Sequence, residues 1–215
     1  LDDRKWAKMD NPPMTKIASA RQTIILEDKF HLVGQRINPS GRQDLTQAIR
    51  DKDFDILFSE AQMQKQSGVD ILDINVYVKD TNEAEIMEKA VEYIQSMLPI
   101  PMQIDSGDYR VLEAGAKAFN GKPILNSVNA KKDSMENIFP IARRYGACVV
   151  GMTMDENGIP ETPKERLILA EKIIETGLSH GIKKENIIID PILESKAYKP
   201  GMAKVTLESL KLIKR

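Results

Sequence analysis

The chain has 215 residues, of which 41% are hydrophobic and 29% charged, and its formal net charge is −1. This length suits one large α/β domain, and the balance of apolar to charged residues excludes wholesale disorder. No apolar run approaches the ~20 residues of a membrane span, and near-neutral charge with dispersed Lys and Arg leaves no broad footprint for nucleic acid, so neither partner is expected.

The chain begins on Leu1 rather than Met, which predicts processing or a missing beginning. Its opening "LDDRKWAKMDNPPMTK" holds no apolar segment like that of a signal peptide, and the expected location is the cytoplasm. Residues 1–30 read as an N-terminal extension in which "TIIL" (23–26) and "KFHLV" (29–33) flank Glu27-Asp28 as a short hairpin. Residues 31–215 read as one domain, because no linker rich in Pro, Gly or Ser divides them.

From about residue 30, apolar runs fit for buried strands alternate with segments of helical period. The strands are predicted at "HLVGQ" (31–35), "DILDIN" (70–75), "PMQID" (101–105), "PILNS" (123–127), "CVVGM" (148–152) and "NIIID" (186–190). Between them, a helix is expected over 81–98 with Thr81 as cap and Pro99 as stop. Another is expected over 133–146, capped by Asp133 or Ser134, with Pro140 implying a kink or a late start. A third runs over 162–181, with Pro163 in its first turn and Gly181 closing it, and "MAKVTLESLKLIKR" ends the chain as a helix. Charged residues in these segments read as solvated helix faces. Six βα units are visible, whereas a closed (β/α) barrel needs eight strands. Either two units are absent from this chain, or the fold is an open doubly wound sheet of six strands.

Cys148 is the single cysteine, which excludes an intrachain disulfide and a Cys-rich zinc site. Its neighbours "ACVVG" suggest a thiol buried in a strand. His31 and His180 are far apart in sequence, and no metal site or Ser-His-Asp arrangement is expected on either.

The strands end in a recurrent way. "MQID" stops on Asp105, "PILN" on Asn126 and "IIID" on Asp190, while "ILDIN" adds Asp73 and Asn75. Parallel α/β folds bind ligands at the carboxyl ends of their strands, so these side chains are expected on one rim. Each taken singly is also a normal turn or cap residue, and Asp-Pro is a common turn dipeptide. Together, two carboxylates and an amide suit a donor-rich heterocycle such as the aminopyrimidinone edge of a pterin, whose amino group and ring N–H would donate to a carboxylate.

Several blocks in order, "VGQRINPSG" (33–41), "GVDILDIN" (68–75), "QIDSGDYRVLEAGAKAFNGKPILNSVNA" (103–130), "GACVVGMTMDENGIPET" (146–162) and "IIIDPIL" (187–193), closely resemble the methyltetrahydrofolate:corrinoid-protein methyltransferases. More distantly they resemble the folate domain of cobalamin-dependent methionine synthase and dihydropteroate synthase. The resemblance implies a TIM-type (β/α)8 barrel, here with its last two units missing, and a homodimer. It also implies methyl transfer between N5 of methyltetrahydrofolate and the cobalt of a corrinoid (cobalamin) carried by a partner protein.

By that resemblance Asp105, Asn126 and Asp190 are the pterin ligands and the residues that polarise the ring, with Asp73 and Asn75 beside them. Met152 and Met154 read first as filling irregular core space, and Arg36 and Asn38 as loop polar groups; the resemblance offers a second reading in which these four, with Gln35, shape the rim. Gln35 stands where the family usually has Glu, and the chain holds no counterpart of the asparagine on the family's seventh strand. Two alternatives accompany this reading. A dihydropteroate synthase would share the pterin trio, but "DPILESKAYKP" departs from that family's glycine-rich continuation. A non-catalytic module that binds a pterin or a corrinoid protein is the other.

Overall fold

A computed structural model of the chain describes residues 13–27, 29–193 and 201–214. Its centre is a six-stranded, all-parallel sheet whose strands neighbour one another in chain order: β3 (Val33–Ile37), β4 (Ile71–Ile74), β5 (Met102–Asp105), β6 (Ile124–Asn129), β7 (Cys148–Met152) and β8 (Ile187–Asp190). All six predicted strands are present, the first shifted two residues toward the C-terminus. Sequential parallel order with helical crossovers is the winding of a (β/α) barrel, whereas a doubly wound sheet reverses its strand order at a switch point.

Two helices, α1 (Gln43–Asp51) and α2 (Phe54–Gln66), separate β3 from β4. Then α3 (Glu83–Met97), α4 (Tyr109–Ala118), α5 (Lys132–Tyr145) and α6 (Pro163–Ser179) follow their strands in turn, and α7 (Met202–Ile213) comes last. The helix ends are set locally. Thr162 and Glu165 form a capping box at the start of α6, behind Pro163, while Gly146 takes φ 66° at the end of α5. Asn82, not Thr81, caps α3 by accepting from the Glu85 N–H. The predicted caps of α5 are displaced as well: the helix starts at Lys132, Ser134 Oγ instead accepts the Asn129 N–H, and the helix continues through Pro140. Among the described residues no helix is long and apolar enough to cross a membrane.

Strand side chains alternate between two faces. Leu72, Ile74, Ile104, Leu125 and Val149 point outward and are buried beneath helix residues such as Met87, Ile94, Leu112 and Phe139. On the inner face, the first residues of three strands, Ile71, Ile124 and Cys148, pack against Ile17 and Ile24.

Ile17 and Ile24 belong to an antiparallel pair, β1 (Lys16–Ala18) with β2 (Thr23–Ile25), which lies across the N-terminal end of the sheet. This corrects the expected hairpin: Thr23–Ile25 pairs backward with Lys16–Ala18 and not forward with residues 29–33. The reason is burial, since Ile17 has no solvent exposure, whereas Phe30 and Leu32 are exposed. The plug is pinned by reciprocal bonds between Ala18 and Lys122, and by Ser19 Oγ donating to the Pro99 carbonyl at 2.8 Å. Only glycine fits at 121, because a Cβ there would lie 2.2 Å from the Ala18 oxygen.

Candidate functional site

The inner face turns polar toward the carboxyl ends of the strands. Register sets Asp73 beside Gln103 and Asp105 beside Asn126. The Asp73 carboxylate accepts from Gln103 Nε2 and, across the intervening strand, from Asn126 Nδ2 at 3.3 Å. Asn75, just beyond β4, donates through Nδ2 to Asp105 Oδ2 at 3.0 Å. Four of the five residues expected at the strand ends, Asp73, Asn75, Asp105 and Asn126, therefore gather at the carboxyl ends of β4, β5 and β6, in two bonded groups.

Gln103 completes this cluster and is absent from the sequence expectations, although period two from Asp105 puts it on the same face. Asp190 sits on the same rim, in register with Met152, but it is engaged with its own turn: its Oδ1 accepts the Ile192 N–H at 2.7 Å.

Burial makes the cluster electrostatically tense. Asp73 is 1% exposed, and its pKa is pushed up to about 7, chiefly by burial and then by the negative charge of Asp105. The bonds from Gln103 and Asn126 pull the other way. Asp105 is also raised by burial, against the opposing bond from Asn75. Nearby, Ser106 Oγ donates to Glu83 Oε1 at 2.7 Å, and burial raises the Glu83 pKa.

Three cavities open at this end of the sheet. One of about 810 Å³ is lined by Asn38, Asn75, Tyr77, Glu83 and Ser106, and another of about 680 Å³ by Asp105, Tyr109, Ser127, Asn129 and Lys131. A third, of about 910 Å³, lies between Met154 and the start of α6, with Asp155, Pro160 and Ile168 in its wall.

The expected rim residues divide. Asn38 lines the first cavity and its Oδ1 accepts the Ser40 N–H, and Met154 lines the third. Met152 accepts a hydrogen bond at its sulfur from Ser127 Oγ, across 2.8 Å. Gln35 and Arg36, by contrast, line a separate cavity of about 360 Å³ with Met63 and Gln64 of α2. Arg36 Nε donates to Glu60, on the helix side of β3, because residues one apart on a strand face opposite ways. Arg36 therefore stands apart from the Asp73–Asp105 cluster.

Two further polar residues escaped the sequence reading, which took helix charges as solvated. Glu60 is 3% exposed, accepting from Arg36 and Arg42, and Arg166 of α6 is fully buried. Arg166 occupies the stripe that also buries Leu169, Ala170, Ile173 and Gly177, so its position in the helical period was the available signal.

Comparison with known proteins bears on the fold and the family. The methionine synthase of Mycobacterium leprae (strain TN) is 28% identical over 165 residues, which cover 74% of this chain but 14% of that protein. The chain thus spans a small part of that relative's length. Among solved structures, the dihydropteroate synthase of Xanthomonas albilineans with 4-aminobenzoic acid aligns at TM-score 0.65 and 18% identity, covering 93% of this chain and 71% of that one. The 7,8-dihydropteroate synthase of Vibrio fischeri ES114 aligns at TM-score 0.62 and 22% identity, covering 83% and 67%. At such identities the likeness is one of fold, and it marks the six-stranded sheet as part of a TIM-type (β/α)8 barrel. The family model for pterin binding enzymes matches residues 34–215, from the second residue of β3 through α7, and the chain belongs to that family.

Proposed function

We propose that the chain binds the pterin ring of methyltetrahydrofolate at the Asp73–Asn75–Asp105–Asn126 cluster and serves methyl transfer between its N5 and the cobalt of a corrinoid carried by a partner protein. The observation that carries the pterin part is the Asn75–Asp105 bond. A rim carboxylate oriented in advance by an amide, on the polar end of an otherwise apolar inner face, suits the amino and ring N–H donors of an aminopyrimidinone. Asp105 and Asp190 accept from the ring, and Asn126, whose amide is set by its bond to Asp73, both donates and accepts. Asp73 changes charge near neutral pH beside Asp105, so the charge offered to the ring follows pH. Asn38, Met152 and Met154 lie along the mouth.

N5 is a poor leaving atom until it gains positive character, and ring polarisation is the lever these residues hold. The corrinoid supplies the cobalt that takes or gives the methyl group. The methyl-transfer reading, rather than a dihydropteroate synthase, is supported by the similarity to methionine synthase and by the "DPILESKAYKP" stretch. Of that stretch, residues 194–200 lie outside those described. A homodimer is proposed on family resemblance alone.

The test is calorimetric titration of methyltetrahydrofolate into the full chain and into Asp105→Ala and Asn126→Ala, followed by a cob(I)alamin methylation assay. Binding that both variants lose, together with cobalamin methylation, supports the proposal. Unchanged affinity in the variants overturns the site. Condensation of p-aminobenzoate with a pterin pyrophosphate would instead assign a synthase, and binding without either turnover a non-catalytic module.

A further inference from the structure

Arg166 is a fully buried guanidinium on a helix whose other inward residues are apolar or small. A leucine or methionine would fill that space without desolvating a charge, so the cation must return something through its bonds. Those bonds converge on one place. Nη1 donates to the Pro191 carbonyl, to the Ile192 carbonyl at 2.8 Å and to Thr206 Oγ1 at 3.1 Å, while Nε donates to the Pro160 carbonyl at 2.9 Å. One side chain thus ties the turn after β8 to the loop before α6 and to α7.

The turn it holds is the one that carries Asp190. Ile192, a β-branched residue, takes φ 60°, a left-handed backbone that such residues avoid. The Asp190 Oδ1 bond to the Ile192 N–H holds that conformation from one side, and Arg166 holds the Pro191 and Ile192 carbonyls from the other.

We infer that Arg166 is a positioning residue for Asp190, fixing where that carboxylate stands relative to Asp105 across the mouth of the barrel. This deepens the pterin reading and rests on it. Lysine cannot replace the fork, because one ammonium on a flexible stem does not reach three carbonyls and a hydroxyl in fixed directions.

The test is a double-mutant cycle on the full chain: Arg166→Lys, Asp190→Asn and both together, titrated with methyltetrahydrofolate at a temperature where each variant is folded. Ile94→Ala, at a buried position of α3 in the outer layer, controls for lost stability. Arg166→Gln, which removes the buried charge and keeps two donors, replaces the lysine variant if that one does not fold. The expected result is about a tenfold weaker Kd for Arg166→Lys, no change for Ile94→Ala, and a double variant no weaker than Asp190→Asn. Parent-like affinity in Arg166→Lys, an equal loss in the control, or strict additivity of the two losses overturns the inference. Unchanged binding in Asp105→Asn and Asp190→Asn instead overturns the pterin reading beneath it.

Discussion

Asn75 and Asp105 meet across adjacent strands, the amide Nδ2 donating to the carboxylate Oδ2 at 3.0 Å. The bond favours the ionised carboxylate, against the burial that raises its pKa. Asn75→Ala is therefore expected to weaken methyltetrahydrofolate binding about tenfold, and Asn75→Asp to weaken it further by setting a second negative charge against Asp105. Titration at about pH 8 and about pH 6 checks both: the Asp variant should lose most at the lower pH, where Asp105 is more readily protonated.

Asp73 makes the fold itself sensitive to pH. Its pKa is raised to about 7 in the folded chain from an ordinary 3.8, so the fold favours its neutral form. That contribution is fully present below about pH 4 and is lost as the pH rises through about 7. Asp73→Asn, which keeps an acceptor for Gln103 and Asn126, should flatten this part of the stability profile. It should also raise stability at about pH 8 by on the order of 2 kcal/mol. Urea unfolding at about pH 5 and about pH 8 measures the difference, and an unchanged profile would refute the assignment.

Asp190 separates shape from charge. Asn at 190 retains an oxygen for the Ile192 N–H, so Asp190→Asn should unfold within about 1 kcal/mol of the parent while losing affinity for the ligand. Asp190→Ala loses the turn bond as well and should show both defects. Paired denaturation and titration curves distinguish the two variants.

Much of this arrangement was legible in the letters. Continuous apolar runs such as "IIID" gave the six strands, and the place of Asp73, Asn75 and Asp105 at the carboxyl ends of theirs gave the shared rim, while period two, which would have added Gln103, went unused. What the letters concealed was long-range or lacked a pattern. The Lys16–Ala18 strand contributes one buried isoleucine, too short a run to compete with the apolar residues at 30–33 for the pairing of Thr23–Ile25. Arg166 lay in plain sight on its helical stripe, but charge outweighed position in the reading. Its partners, at Pro160, Pro191, Ile192 and Thr206, cannot be read from local periodicity.

The hairpin across the N-terminal end offers a test of packing apart from ligand binding. Gly121→Ala drives a methyl group into the Ala18 oxygen, and a loss of about 2 kcal/mol is expected. Ile17→Ala opens a cavity among Ile71, Ile124 and Cys148 and should cost about 3 kcal/mol. In both variants, assayed well below their melting temperatures, affinity for methyltetrahydrofolate should stay within about twofold of the parent.

That same hairpin gives the inner face a direction. Ile17 and Ile24 pack over the first residues of three strands, so among the described residues the base of the inner face is closed by side chains, and a ligand of the kind proposed for Asp73, Asp105 and Asn126 would approach from the carboxyl ends of the strands. Under the proposed function, the folate and the corrinoid carrier would then meet at that one polar end, while the apolar base serves the fold alone.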